Sequence, residues 1–292
     1  MSAPLLSLLA ALSFAISNVA LFRGTRNAST RAAVMMSVYL GVPFFLVAAA
    51  VSGQLQTVPL TAAALFVAGG VIHFVVGRTF LWGAIGMIGA SRAVVFTSLS
   101  PVFSLVLAVL LLDESLSALS VFGAALVISA PIVAARPEAS LDAQVRVPKW
   151  NRGMTFALLG SICWGVSPIV IRSALDRTDT VIMGTLISYS GAAVVLAVRG
   201  AATDKLQPFR VLDRISLKWF VAAAMFTNVA QFLNYAAINR DVTIAVVLLQ
   251  LSPILVAALT YLVSREIERI TPGVLVGGVL AVIGGILVVT GS

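Results

Sequence analysis

LSPVFSLVLAVLLLDE, residues 99–114, and LSPILVAALTYLVSRE, residues 251–266, are the two stretches on which the fold is decided. Each opens on Leu-Ser-Pro, runs on through apolar residues, and carries a glutamate thirteen positions after the proline, at Glu114 and Glu266. The two prolines, Pro101 and Pro253, stand 152 residues apart. A proline inside a helix removes a backbone donor and frees the carbonyl four residues back. In lipid that carbonyl needs a new partner, because no water is there to supply one. A chain that writes so costly a segment twice is built from a repeat.

The surrounding composition sets the solvent. Of 292 residues, 60% are apolar and only 10% charged, and the mean hydropathy is +1.07. A soluble domain carries about 25% charged residues to wet its surface. The bulk environment here is therefore lipid, and at about 20 residues per crossing the chain has room for roughly ten helices. A membrane β-barrel would show alternating segments of about ten residues, whereas these runs are long and continuous. The net charge of +8 does not point to nucleic acid, because the basic residues sit in short connectors rather than on one face. A single cysteine, Cys163, excludes an intrachain disulfide and a cysteine-based metal cluster. No metal and no cofactor is expected. The opening MSAPLLSLLA has no basic region before its apolar run, so that run is expected to stay as the first span.

Apolar runs predict spans near 4–22, 32–51, 61–82, 93–112, 116–135, 153–171, 180–198, 219–238, 242–263 and 271–290. The charged stretch 136–152, RPEASLDAQVRVPKWNR, divides five spans from five. The domain reading is thus a first five-helix repeat over 1–135, a cytoplasmic connector over 136–152, and a second five-helix repeat over 153–292. Connectors 1–2, 3–4, 5–6, 7–8 and 9–10 hold 15 of the 19 basic residues, the opposite connectors hold 3, and Arg78 lies inside the third span. Lys and Arg stay in the cytoplasm, so both termini are expected on the outer side.

Five is odd, so two similar halves must cross the membrane in opposite senses. The fold class expected is all-α integral membrane, ten transmembrane helices as two inverted five-helix repeats. The match reaches beyond the opening stretches. Phe14, Ser17 and Asn18 align at one offset with Trp164, Ser167 and Pro168, and GAALVISAPIVAA from 123 corresponds to GGVLAVIGGILVV from 277. Inverted repeats are the architecture of alternating-access carriers, which hold substrate near the midplane between the halves. Pro101 and Pro253 then read as paired hinges, with Ser100 and Ser252 offering hydroxyls to the freed carbonyls. The plainer alternative is that prolines are simply commoner in membrane helices.

The Leu-Ser-Pro segments, each followed by an apolar run, an acid and a glycine-rich helix, resemble the drug/metabolite transporter superfamily. More narrowly they are similar to its EamA-type ten-helix carriers with two tandem repeats, and most similar among these to YddG-type exporters of aromatic amino acids. The resemblance implies a basket of ten helices around a central cavity, in a bacterial inner membrane. It also implies export of a metabolite without ATP or a bound cofactor.

A polar side chain in mid-membrane is costly and is a functional candidate by default. His73, the single histidine, lies near the centre of the third span and reads either as a cavity residue or as one satisfied by a neighbouring helix. The eighth span, FTNVAQFLNYAAIN, places Asn228, Gln231 and Tyr235 along one helical face, with Asn234 close by. Gln250 and its counterpart Ser98 join the expected lining. Trp82 and Trp164, with Phe74, Phe80 and Tyr189, read as aromatic walls, while Trp150 and Trp219 read as interfacial anchors. Gly160, Gly165, Gly284 and Gly285 read as close-packing positions. Arg78, about a turn inside the cytoplasmic end of its span, either snorkels to the interface or attracts a carboxylate to the inner mouth as a gate.

No Asp or Glu occurs before Asp113, and the remaining acids fall in connectors or at span ends. The related small multidrug exporters use a first-helix glutamate that the first span here lacks. Lipophilic-cation export and carboxylate-based antiport are disfavoured, and the expected substrate is a neutral or zwitterionic solute such as an aromatic or apolar amino acid. A lipid-linked sugar flippase or a drug exporter of the same superfamily is the alternative. An enzyme is not expected, because one His, one Cys and no intramembrane carboxylate leave little for a catalytic constellation. No phosphate-binding loop appears, and primary pumping by this chain is not expected. The expected partners are the small-molecule substrate and the lipid bilayer, with no nucleic acid and no obligatory protein.

Overall fold

Long apolar runs with no water to hydrogen-bond their backbone have one local solution, the helix. A computed structural model describes residues 2–112, 117–134, 150–178, 180–202, 212–238, 240, 248–264, 266–268 and 270–291, and every regular element among them is helical. In chain order they are α1 (Ala3–Gly24), α2 (Thr30–Val51), α3 (Leu60–Ile88), α4 (Ala90–Thr97), α5 (Ser100–Leu112) and α6 (Ala118–Ala134). They continue with α7 (Trp150–Leu175), α8 (Val181–Ala202), α9 (Arg214–Ile238), α10 (Ser252–Ser264) and α11 (Pro272–Gly291). Helices α4 and α5 together form the fourth of ten spans. Most of the connector 136–152 and the first residues of the ninth span lie outside the described residues.

Which spans touch shows the repeat. The first packs on the eighth and the sixth on the third; the first meets the ninth and the sixth meets the fourth; the second meets the eighth and the seventh meets the third. Exchanging each span for its counterpart five places along turns each of these pairs into its partner. The second–seventh and fifth–tenth pairs, which map onto themselves, are also in contact. This is a two-fold relation between the halves, and with five crossings in each it is an inverted one.

Two helices depart from the expected geometry. The third span runs to Ile88 rather than 82, because the glycine-containing GAIGMI stays helical until Gly89, whose φ of +92° ends it. Within it, Val71–Gly77 widens into a π-helical turn, and the Arg78 N–H bonds to the His73 carbonyl five residues back. The fourth span is not a bent rod but an interrupted one. A turn at Ser98–Leu99 separates α4 from α5, and Pro101 sits in the first turn of the new helix, where its missing N–H costs nothing. In the ninth span a turn at Gln250–Leu251 likewise precedes α10, with Pro253 in its first turn.

One end of the bundle is tightly closed. On the face that carries connectors 3–4 and 9–10, Leu21, Ala33, Ile85, Ile88, Val94 and Phe220 pack into one core drawn from both repeats. There Glu268, between α10 and α11, reaches across to the first repeat. Its carboxylate accepts from Ala90 N at 2.9 Å and Ser91 N at 3.0 Å. These are unpaired donors at the start of α4, where a negative charge is favoured. Gly89 makes room for it, since a Cβ there would lie 2.4 Å from Glu268 Oε1.

Candidate functional site

The proline breaks set up the site. Pro101 frees the Thr97 carbonyl, and Ser100 Oγ donates to it at 2.8 Å; Pro253 frees the Leu249 carbonyl, and Ser252 Oγ donates to it at 2.7 Å. Both repeats thus solve the same problem in the same way. Both breaks also border one cavity of about 510 Å³ between the halves, lined from one side by Thr97, Ser98, Ser100 and Pro101 and from the other by Leu249, Gln250, Ser252 and Pro253. That volume is within the usual range for small-molecule sites. Leu81, Trp82 and Val94 also line it and belong to the packed core of the closed face, so they form its floor.

The π-turn brings two unlike residues of the third span to the cavity. A wider turn shifts the register by one, and His73 and Arg78, five apart, both line the wall. His73 Nδ1 lies 2.8 Å from Ser167 Oγ, and its ring stacks on Trp164 with centroids 5.3 Å apart and planes 10° from parallel. Trp164 Nε1 donates to the His73 carbonyl at 3.4 Å. Gly77 is required beneath it, because a Cβ there would meet the Trp164 ring at 2.8 Å.

Arg78 neither snorkels nor stands at a mouth. It is 2% exposed and lies ten residues short of the helix end at Ile88, because the helix is longer than its composition indicated. Its guanidinium donates to Ser37 Oγ at 2.9 Å and to Tyr189 Oη at 3.1 Å. The rings of Phe74, Trp82 and Tyr189 surround it at 4.8, 5.4 and 5.6 Å. Among the described residues the ion pair that forms is Arg172 with Asp176, exposed and distant in sequence, and no Asp or Glu lines the cavity.

Of the expected site residues, His73, Arg78, Trp82, Ser98, Trp164, Gln231, Gln250, Pro101 and Pro253 come together on this wall. Asn228 and Tyr235 do not. Asn228 is fully buried and its Nδ2 donates to the Ser37 carbonyl at 3.3 Å, so it ties α9 to α2. Tyr235 faces a separate crevice with Phe66, Ile171 and Thr185. A helical stripe is wider than a cavity wall, and packing against α2 and α8 claims its flanks. Phe74 and Tyr189 are fully buried behind Arg78 instead of facing the cavity, and Phe80 packs edge-on against Phe156 at 5.2 Å. Trp219 and Trp150 carry Arg23 and Arg92 over their rings at 5.1 and 5.4 Å.

Composition alone missed Thr227, Asn18 and Phe14, which line the cavity with Ser104 and Pro168. The repeat could have found them. Phe14 and Asn18 are the counterparts of Trp164 and Pro168. Ser17, the counterpart of Ser167, bonds Thr227 as Ser167 bonds His73. Thr227 thus stands toward Ser17 as His73 stands toward Ser167.

The fold agrees with the comparisons. Among curated proteins none matches the sequence. A solved crystal structure whose description names no function superposes with a TM-score of 0.65 at 18% identity, covering 99% of this chain and 96% of that one; it shows a shared fold. The EamA-like transporter family matches twice, over residues 1–135 and 151–290. The chain belongs to the EamA-like transporter family, and is a multi-pass membrane transporter.

Proposed function

We propose that the protein exports small amino-acid-like metabolites, aromatic or apolar ones foremost, by alternating access through the central cavity. The observation that carries this reading is the cavity wall. A buried guanidinium, two tryptophans and the amides of Gln231, Asn234 and Gln250 share one chamber with both proline breaks. Trp164 and Trp82 give the chamber aromatic surface for a flat ring, and the polar groups give it partners for the head of the solute. The interrupted helices give each half a point at which to bend, as broken helices do in other carriers. The bias of Lys and Arg puts the closed face in the cytoplasm, so this arrangement would be the outward-facing one. The narrower resemblance to YddG-type exporters favours aromatic amino acids. An exporter of lipophilic cations would meet Arg78 with no carboxylate among the described lining residues to offset it.

Purified protein in liposomes, offered a panel of amino acids, organic cations and sugars, tests the reading. Aromatic and apolar amino acids are expected to move down their gradient without a pH difference. Movement of cations or sugars in preference, or strict dependence on a proton gradient, would overturn it.

A further inference from the structure

We infer that Arg78 selects the solute by charge, so that the cavity takes an aromatic or apolar carboxylate and rejects the corresponding amine. The inference rests on the proposed function for its choice of solute, but concerns binding rather than movement. Arg78 places a guanidinium, a positively charged group, in the interior of the protein, where it is 2% exposed. Its two hydrogen-bond partners among the described residues, Ser37 and Tyr189, are neutral hydroxyls, and they engage two of its five N–H donors. The rings of Phe74, Trp82 and Tyr189 offset part of the cost of burial. They do not supply an anion. A buried charge is ordinarily paired, and no described carboxylate lines this chamber, so the geometry leaves the pairing to a ligand. The planar fork of donors matches a carboxylate, and the indole of Trp82 beside it suits an apolar or aromatic remainder.

The same wall says what the ammonium of an amino acid gains. Its acceptors here are neutral: the hydroxyls and the amide oxygens of Gln231 and Gln250. An ammonium is tolerated on a solute whose carboxylate already sits on Arg78. It is not a recognition element of its own. A carboxylate lacking the amino group should therefore bind as well as the amino acid.

The experiment is a titration of the purified, detergent-solubilised full chain with 3-phenylpropionate, phenylalanine and phenethylamine, read by tryptophan fluorescence. Phenylpropionate is expected to bind at least as tightly as phenylalanine. Phenethylamine should bind about 10- to 100-fold more weakly, the span expected for losing a hydrogen bond to a charged group. Arg78→Lys should keep the ranking and Arg78→Gln should collapse it to within about threefold. If the glutamine variant does not fold, the wild-type ranking decides alone. Equal binding of the amine, or phenylalanine binding more than about tenfold tighter than phenylpropionate, overturns the inference. Should the ranking hold while liposomes transport none of the three, the proposed function fails and the charge selection stands.

Discussion

Among single residues, the cavity wall depends most on the ones with nothing to contribute chemically. Gly77 leaves the space that Trp164 fills, and Gly41 leaves the space for the Tyr189 ring, which a Cβ would meet at 2.2 Å. Tyr189 in turn holds Arg78. Gly77→Ala is expected to cost about 1–3 kcal/mol of stability, as overpacking does, and to shift tryptophan emission as Trp164 leaves His73; thermal unfolding with fluorescence detection checks both. Gly89→Ala should be worse, because the side chain would be strained at a φ of +92° and would also strike Glu268. Residue identity is legible in sequence where the cost of burial is highest: His73 and Gln231 stand out because a polar group in lipid is expensive, and both line the cavity. The role of Asn228 was not legible, since the same cost is met by one bond to the Ser37 carbonyl. Sequence does not say which neighbour arrives first.

At the level of helices, the symmetry is a physical statement that can be tested in pairs. Ser100→Ala and Ser252→Ala each remove one hydroxyl from one proline-freed carbonyl, and each should cost about 1 kcal/mol. Similar shifts in the thermal midpoint are expected; a large effect at one site and none at the other would mean that the two breaks are not equivalent. Pro101→Ala returns the missing donor and favours a continuous helix through Ser98–Leu99. Stability should not fall, while transport in liposomes slows as Thr97 and Ser98 turn out of the wall. Span positions were readable because lipid leaves the backbone no choice but helix. The π-turn was not, because a register shift of one residue within VIHFVVG leaves the composition of the segment unchanged. That hidden shift places both His73 and Arg78 on the cavity; Arg78 lies deeper than its sequence suggests because the helix continues to Ile88.

Over the whole molecule, ten spans arrange themselves so that one face is packed and a chamber lies beyond it. The closure is drawn from both repeats, and Glu268 is its one carboxylate bond between them among the described residues. Burial pushes that carboxyl up to about 7 from an ordinary 4.5, against the opposing pull of the Ala90 and Ser91 N–H groups and of Arg92. A raised value means that the closed arrangement holds the proton more firmly than an exposed carboxyl would. The stabilisation is complete below about 4.5 and is lost as pH rises through about 7. Thermal midpoints measured from pH 4.5 to 7.5 should fall across that window in the natural protein and stay flatter in Glu268→Gln. A profile unchanged by the substitution would remove Glu268 from the account. If parting of that face also frees the carboxyl, acidity on that side becomes a brake: it lengthens the dwell in the shut form without driving solute in either direction. A carrier with no acid among the described residues that line its cavity would then still slow down as the solution at that face acidifies, through a single side chain placed at its threshold.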